Sequence, residues 1–338
     1  MKIRTVRASL AAAAGFALMA GIAACGGSGD GSDDASAETT GNTTAEPSGA
    51  PADDAGPVTI EHRYGSTEVD EPPERVVSVD LPWNDVMLAM GVEPVGYAID
   101  AYMPEPGVPW QELPDDAVAI DGTDGLPFEQ IAALEPDLIV GTFTIDDEQT
   151  YERLSDIAPT IASPDEHQVT PWQELVRVAG EVLDRQESAQ EIIASVDGQV
   201  AAVADELPGL QGRTFALAQY VVGDSMYIVA DEEDGSSVFF QQLGMEMFAP
   251  VVEHGRETGD SRINVSAERA DLLEADLLAF LVNGGDESDL ADIPGFDQLP
   301  GTVAVLDYAT VVGLNTPSPL SIPYALEQLR PYLEQAAA

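Results

Sequence analysis

The sequence predicts an α/β fold in which two lobes, each built around a mostly parallel sheet, are joined by one long helix. Short apolar runs alternate with helical patterns along residues 58–170 and again along residues 209–338, which is typical of parallel sheets covered by helices on both faces. Between them, residues 171–208 carry an apolar stripe at helical spacing. The chain after position 57 is long enough for two lobes, each with its own core. An ordinary surface helix of one domain is the alternative for the long helix.

The amino terminus has the pattern of a signal peptide over residues 1–24. Three basic residues among the first seven precede an uncharged apolar run over residues 8–24. This run is short for a membrane-spanning helix, which needs roughly 20 residues. It ends in Ile22-Ala23-Ala24-Cys25, which resembles a bacterial lipobox, and the resemblance implies that the thiol of Cys25 carries a lipid. An uncleaved anchor beside an incidental cysteine is the alternative.

Residues 25–57 predict a disordered tether. After Cys25 they are small, polar or acidic and include almost no large apolar side chain, so they cannot bury enough surface to fold. A flexible chain of this length reaches roughly 30 Å, enough to hold a folded body just off a membrane. Because Cys25 is the only cysteine, the mature protein is expected to contain no internal disulfide.

The charge balance is strongly acidic. The chain has 61 acidic against 13 basic side chains, a formal net charge of −48, and Lys2 is its only lysine. A field this negative argues against nucleic acid as a partner and against direct adhesion to anionic lipid. It says less about the ligand, because halophilic surroundings or a high-GC genome would give the same composition.

The first lobe, residues 58–170, is predicted to begin with a hairpin and to continue as alternating strands and helices. Alternating side chains over residues 58–69 predict the hairpin. Gly91 is expected to end the first helix. The predicted strands are 75–79, 94–98, 118–120, 137–142 and 160–162, and the predicted helices are 83–90, 127–134 and 151–157.

The bridging segment, residues 171–208, predicts two helices end to end. Thr170-Pro171-Trp172-Gln173 predicts an N-cap, a proline at the first helical position and a capping-box partner. Asp184 and Glu187 predict a second cap. The second helix, residues 185–206, would be roughly 33 Å long and could act as a strut between the lobes.

The second lobe, residues 209–338, repeats the pattern of the first. Its predicted strands are 214–218, 226–229, 277–282 and 303–306, and its predicted helices are 238–243, 266–273 and 324–335. One correspondence joins the lobes: residues 128–137 and 267–276 each read as a helix with a glutamate near its start, followed by a strand. The pair suggests a symmetric surface with one exposed glutamate on each lobe.

Five stretches of the first lobe and its flank, taken in order, share the pattern of a known protein family. They are Val58–His62, Arg75–Ser78, Leu88–Gly96, Ile131–Ile139 and Tyr151–Thr160. With the lipobox before them and the long helix after them, they resemble the iron-siderophore substrate-binding lipoproteins of ABC importers. No single stretch is diagnostic, but the match spans nearly the whole mature chain.

This resemblance implies a fold like that of class III periplasmic binding proteins, in which two Rossmann-like α/β lobes are bridged by a long helix and move little. It implies a ferric siderophore in the cleft between the lobes and ABC permease subunits as partners. Iron would enter only within the siderophore, with no other cofactor and no direct protein ligand to the metal. The protein is expected to be a monomer without enzymatic activity, lipid-anchored to the cell membrane on its extracytoplasmic face.

The resemblance also implies site residues. Permease docking would use one glutamate on each lobe, and the matching positions are Glu129 and Glu268; a helix-start glutamate that favours the helix dipole is the alternative for each. Loops after strands would carry the ligand contacts, although packing is the commoner role for an aromatic side chain. The candidate ligand-binding residues are Trp83, Tyr102, Trp110, Phe143, Tyr220, Tyr227 and Tyr308.

Several rival functions stay open or are disfavoured. The chain lacks Gly-x-Ser-x-Gly and His-Glu-x-x-His motifs, which disfavours a hydrolase. Bare-metal binding would need His62, His167 and His254 to converge from distant positions. A haem or cobalamin carrier would share the fold and most motifs, whereas an adhesion lipoprotein is disfavoured by the absence of repeats.

The inventory of cations predicts the charge of the ligand. The mature chain has ten arginines against 61 acidic residues, and a triply anionic catecholate complex needs several converging cations. A neutral or weakly cationic ferric complex such as a hydroxamate is therefore expected. Arg153, Arg256 and Arg262 are the arginines that could still meet across the cleft.

Overall fold

The computed structural model describes residues 56–103, 107–114 and 116–338. The expected signal peptide, the lipidation site Cys25 and the tether up to residue 55 lie outside these residues. Among the described helices, none has both the length and the apolar character that crossing a membrane requires.

The first lobe contains a five-stranded parallel sheet with the order β5-β4-β3-β6-β7. A separate antiparallel hairpin of β1 and β2 precedes it, as predicted. The prediction of a parallel sheet is confirmed, since all four strand pairs within it run parallel. The strands are β1 (Val58–His62), β2 (Gly65–Val69), β3 (Val76–Ser78), β4 (Gly96–Ile99), β5 (Val118–Asp121), β6 (Leu138–Val140) and β7 (Thr160–Ile161).

Three short helices connect these strands: α1 (Leu81–Ala89), α2 (Phe128–Ala133) and α3 (Glu148–Ser155). The Asp80 carboxylate caps α1 by accepting a hydrogen bond from the backbone N–H of Trp83. Gly91 ends α1 as predicted, with a φ of 73° in the left-handed region that a glycine adopts at little cost.

The sheet of the second lobe is mostly parallel, as predicted, but it includes antiparallel strands: three of its five strand pairs run parallel and two run antiparallel. Its order is β11-β9-β8-β12-β13, with β10 beside the start of β8. Strands β9 and β11 run antiparallel to their neighbours, because β8 and β9 are joined by a turn too short for a parallel crossover. The strands are β8 (Thr214–Val221), β9 (Met226–Val229), β10 (Glu246–Met247), β11 (Arg262–Val265), β12 (Leu277–Asn283) and β13 (Thr302–Val305).

The helices of the second lobe depart further from the sequence prediction. The helices α6 (Gly235–Gln242) and α9 (Ser321–Ala336) were expected, whereas α7 (Ala249–Thr258) and α8 (Tyr308–Asn315) were not. The predicted helix over residues 266–273 is wrong, since only Ala270–Leu273 forms a 3₁₀ turn. There the Ser266 hydroxyl accepts a hydrogen bond from the backbone N–H of Glu268, which favours a turn over a helix.

Two helices, α4 (Trp172–Val182) and α5 (Gln186–Glu206), lie between the lobes. Neither has the predicted side-chain cap. Thr170 donates its hydroxyl to Asp165, and Gln173 donates instead to Asp197 on α5. Asp184 takes a left-handed conformation with a φ of 52°, so it turns the chain between the two helices rather than capping the second.

One apolar core extends from the first lobe through the bridging helices into the second lobe. This continuous core cluster begins at Ile60 and includes buried side chains of the first sheet, of α4 and α5, of the second sheet and of α9. Two smaller clusters cover the other faces of the two sheets. The lobes therefore share most of their core, whereas the sequence predicted a separate core for each.

Candidate functional site

A cleft lies where the carboxyl ends of strands from both sheets meet. The first lobe contributes residues that follow β3, β4, β5 and β6, including Asp80, Tyr102 and Phe143. The second lobe contributes the ends of β8 and β12 and most of the exposed face of α8. The carboxyl edge of an open α/β sheet is where such folds bind ligands, so this cleft is the candidate binding site.

Two neighbouring cavities make up the cleft. The central cavity, of about 450 Å³, is lined by both lobes. The second cavity, of about 370 Å³, is lined mainly by β8, β9 and β11 together with Gln168. Gln219, Val311 and Asn315 line both, so the two cavities adjoin. Their size is that of a small-molecule site.

Four of the seven aromatic residues expected to contact a ligand line the cleft. Tyr102, Phe143 and Tyr308 line the central cavity, and Tyr227 lines the second. Tyr102 is 79% exposed, Phe143 42% and Tyr227 37%, and these are the exposed large hydrophobic side chains among the described residues. Exposed aromatic side chains that gather around one cleft are typical of an interaction site.

The other three aromatic candidates lie outside the cleft, which corrects the expectation for them. Trp83 is completely buried in the core, on α1. Tyr220 is 3% exposed, and its hydroxyl accepts a hydrogen bond from the backbone N–H of Gly223. Trp110 is half-buried; its indole N–H donates to Asp85 at 2.8 Å and its ring packs on Tyr324. The packing role that is commoner for such residues applies to these three.

An ionisable carboxyl group lies in the floor of the central cavity. Asp80 is 2% exposed, and its carboxylate accepts hydrogen bonds from the backbone and the hydroxyl of Thr142. Burial raises the pKa of Asp80 to about 6, against the hydrogen bonds from Thr142 and Trp83, which lower it. The group is thus held by donors and is not free to bind a ligand.

Tyr308 and Asp100 meet across the cleft. The Tyr308 hydroxyl donates to the Asp100 carboxylate at 2.8 Å, and the Tyr102 ring lies edge-on to the Tyr308 ring with centroids 6.3 Å apart. Burial, followed by the contact with Asp100, raises the pKa of Tyr308 above its ordinary value. Tyr308 is therefore a neutral hydrogen-bond donor at physiological pH.

Arg262 is the one cationic side chain among the described residues that line the two cavities. Its guanidinium group contacts the buried carboxylate of Asp234 at 3.2 Å and also donates to Ser236 and Asn315. The other two arginines that were candidates to meet across the cleft do not join it: Arg153 stacks on the ring of Phe128, and Arg256 pairs with Glu232. The positive charge in the cleft is therefore already neutralised within the protein.

The sequence patterns do not predict the polar residues of the cleft. Gln219 and Asn283 lie at the ends of β8 and β12, and Asn315 ends α8. Gln219 and Asn283 could have been found from their positions, because each directly follows a predicted strand and the ends of strands line the cleft. Asn315 could not be found in this way because α8 was not predicted.

The two candidate docking glutamates are exposed, but their local structures differ. Glu129 lies in the first turn of α2, whereas Glu268 lies in the turn before the 3₁₀ segment. Residues 128–137 and 267–276 correspond more closely at their last positions, Asp137 and Asp276, than at the two glutamates. Each of these carboxylates accepts backbone N–H groups at the start of the neighbouring strand segment.

The three histidines do not form a cluster in the described residues. His62 is buried and hydrogen-bonded to Thr67 at 2.9 Å in the hairpin, whereas His254 lies on α7 of the second lobe. Within residues 56–103, 107–114 and 116–338, no group of three His, Cys, Asp or Glu side chains is arranged to hold a metal ion.

Comparison with known proteins places this architecture in a family. Residues 76–294 match the family described as periplasmic binding protein. The Bacillus subtilis protein named "Probable siderophore-binding lipoprotein YfiY" is 26% identical over 227 residues, which cover 64% of this chain and 67% of the relative.

Solved structures agree with this assignment. A periplasmic solute-binding protein from Mycobacterium smegmatis aligns with a TM-score of 0.70 at 27% identity, covering 84% of this chain and all of the other. PiaA of Streptococcus pneumoniae, solved with ferrichrome, aligns with a TM-score of 0.69 at 22% identity over 83% of this chain and 98% of its own. The fold expected from the sequence, two α/β lobes joined by a long helix, is confirmed. The chain belongs to the periplasmic binding protein family.

Proposed function

We propose that this chain is the extracytoplasmic substrate-binding lipoprotein of an ABC importer, and that it binds a ferric siderophore in the cleft and delivers it to the permease. The observation that carries the proposal is the cleft between the lobes, which presents exposed aromatic rings at the carboxyl ends of the strands. The name of the Bacillus subtilis relative supports the same ligand class. Binding rather than catalysis is the role of the site.

The charges in the cleft favour a neutral ferric complex of the hydroxamate type. Arg262 is occupied by Asp234, and the carboxyl groups of Asp80 and Asp100 lie in the same cleft. Burying a triply anionic catecholate beside these carboxylates would cost several kcal/mol without compensating cations. A neutral complex avoids that cost.

The aromatic rings supply the contact surface for such a complex. Tyr102, Phe143 and Tyr227 present large rigid faces to the cleft, and an aromatic contact adds about 0.5 to 1.5 kcal/mol beyond the area it buries. The amide groups of Gln219, Asn283 and Asn315 add donors and acceptors for the oxygen-rich surface of a hydroxamate complex.

Quenching of intrinsic tryptophan fluorescence tests the ligand class. Ferrichrome, a neutral trihydroxamate, is expected to bind more tightly than a triply anionic ferric tris-catecholate siderophore at physiological salt. Tighter binding of the catecholate complex would overturn the hydroxamate assignment. Haem, cobalamin and ferric citrate are titrated in the same way. Tighter binding of one of them would make it the ligand in place of the proposed siderophore, and the fold assignment would be unaffected.

A double substitution tests whether the ligand binds in this cleft. The double substitution Tyr102→Ala and Phe143→Ala removes two exposed rings and is expected to weaken ferrichrome binding about tenfold or more, which corresponds to at least about 1.4 kcal/mol. The substitution Glu148→Ala, at an exposed position on α3, is the control and is expected to leave the affinity unchanged.

A further inference from the structure

The second cavity of the cleft lies on the antiparallel part of the second-lobe sheet. Gln219 of β8 pairs with Tyr227 of β9 on one side and with Leu281 of β12 on the other, so these side chains form a row across the sheet. Leu281 lines the central cavity, Tyr227 lines the second, and Gln219 lines both. The two cavities are therefore consecutive parts of one sheet face, the central cavity over parallel strands and the second over antiparallel strands.

Apolar side chains form the deeper part of the second cavity. Leu217 and Val229 lie two residues from Gln219 and Tyr227 on the same strands, and the alternation of a strand places them on the same face. Both are buried members of the continuous core cluster, and Val311 of α8 also lines this cavity. An alkyl chain that passes Tyr227 would therefore meet apolar walls and leave water.

The second cavity carries no net charge. Arg262 is the one charged side chain among the described residues that line it, and its guanidinium group pairs with the carboxylate of Asp234, which is 1% exposed. The carboxyl groups of Asp80 and Asp100 line the central cavity and not the second. A charged group would lose its hydration in the second cavity without gaining a partner, so this cavity favours an uncharged group.

Asn315 lies where the two cavities meet, and Arg262 fixes the orientation of its amide. The guanidinium group donates to the side-chain oxygen of Asn315 at 3.2 Å and to its backbone carbonyl at 3.3 Å. Because a guanidinium group can only donate, it holds the amide oxygen toward itself and leaves the amide N–H groups for an acceptor in the cavities. Arg262 is thus a positioning residue, and Asn315 offers hydrogen-bond donors between the two cavities.

From this arrangement we infer that the second cavity is a subsite for an uncharged acyl arm of the siderophore. The iron centre lies in the central cavity, and the carbonyl oxygen of the arm accepts a hydrogen bond from Asn315. The alkyl chain of the arm extends past Tyr227 onto Leu217 and Val229. The subsite deepens the proposed function, since it assumes that a ferric hydroxamate occupies the central cavity.

The arm can be varied while the iron centre stays the same. Ferrioxamine B ends in an ammonium group, N-acetyl ferrioxamine B in a short uncharged amide, and N-hexanoyl ferrioxamine B in an amide with a longer alkyl chain. Affinities are measured by isothermal titration calorimetry at physiological salt, which screens the long-range attraction of the acidic protein for the ammonium form. The hexanoyl complex is expected to bind about tenfold or more tightly than the acetyl complex, because its chain buries more apolar surface. The acetyl complex is expected to bind more tightly than ferrioxamine B.

Filling the second cavity tests whether the chain occupies it. Val229→Phe is expected to reduce the ratio of hexanoyl to acetyl affinity toward one, and Val229→Met serves if the phenylalanine variant does not fold. The matched control is Val303→Phe, at a half-buried position on the opposite face of the same sheet, which is expected to keep the parent ratio. The heat-capacity change of binding is expected to be more negative for the hexanoyl than for the acetyl complex in the parent and in the control, but not in Val229→Phe.

The hydrogen bond to the arm is tested at Asn315. Asn315→Ala removes the donors and is expected to lower the affinity of the acetyl complex relative to that of ferrioxamine B, which lacks the acyl carbonyl. Arg262→Lys keeps a positive charge beside Asp234 but loses the paired N–H groups that hold Asn315, so it is expected to cause a similar loss in the parent and no further loss in Asn315→Ala. The control is Arg256→Lys, the same change at the ion pair with Glu232, which is expected to cause no loss.

The outcomes separate the subsite from the proposed function. Equal affinities of the parent for the acetyl and hexanoyl complexes, or a ratio that both Val229 variants leave unchanged, would overturn the subsite alone, as would binding of ferrichrome without binding of any ferrioxamine. An unchanged preference in Asn315→Ala would overturn the role of Asn315, and additive losses for Arg262→Lys and Asn315→Ala would overturn positioning by Arg262. If the parent binds neither ferrichrome nor any of the three ferrioxamines, the hydroxamate function and the subsite are both wrong.

Discussion

At the scale of single residues, the buried carboxyl group of Asp85 should make stability depend on pH. Burial raises the pKa of Asp85 from 3.8 to about 6, with hydrogen bonds from Ser318, Gln111 and Trp110 acting in the opposite direction. Because the folded state holds the proton more tightly than the unfolded state, this contribution to stability is complete below pH 3.8 and is lost as the pH rises through 6.

The substitution Asp85→Asn removes this titration. The free energy of unfolding of the variant relative to the parent is expected to rise by about 2 kcal/mol between pH 4 and pH 7, as measured by urea denaturation at each pH. Asp121→Asn is the control. Hydrogen bonding to Thr123 lowers the pKa of Asp121, so the free energy of unfolding of this variant relative to the parent is expected to change with pH in the opposite direction. Parallel curves for the parent and Asp85→Asn would contradict the prediction.

Residue type and position in the sequence predict only some of the aromatic side chains that line the cleft. Tyr102, Phe143 and Tyr308 follow predicted strands and Tyr227 lies within one, and the structure places all four on the cleft. Trp83 and Trp110 were proposed on the same argument, yet each packs elsewhere. Sequence position locates the edge of a sheet, but it does not determine whether a side chain points into the cleft or into a neighbouring helix.

At the scale of elements, the strongly patterned segments were predictable and the irregular ones were not. The long stripe of α5 and the buried strand β6 lie close to their predicted limits. The short helix α8 has no apolar stripe to reveal it, because most of its residues are apolar and five of the eight are buried. Residues 266–273 have an apparent stripe, but the Ser266 hydroxyl stabilises a turn there.

The proposed docking on the permease uses Glu129 on α2 and Glu268 in the turn before the 3₁₀ segment. Both glutamates are exposed, so the double substitution Glu129→Ala and Glu268→Ala is expected to keep ferrichrome affinity within a few-fold while abolishing siderophore uptake by cells. Glu148→Ala with Glu257→Ala makes the same change of charge at exposed positions on α3 and α7 and should support normal uptake. Lost affinity with intact permease association would reverse the assignment.

At the scale of the whole molecule, we predict that a lipid on Cys25 anchors the protein to the membrane. The lipobox-like sequence before Cys25 leads us to expect that Cys25→Ala abolishes fatty-acid labelling of the protein and releases it from the membrane fraction. The Glu148→Ala variant is a suitable control and should remain labelled. Labelling that persists in Cys25→Ala would show that the lipid, or the anchor, lies elsewhere.

The continuous core cluster also has a consequence for how the protein is made. Buried residues of α9, among them Ile322, Leu329 and Leu333, belong to the same cluster as Ile60 in the first hairpin. More than 260 residues separate them along the chain. Strand β1 packs on α4, and α9 packs on α5, so the bridging helices connect the two ends of the cluster. The shared core is therefore complete only after α9, the last helix of the chain, has been synthesised.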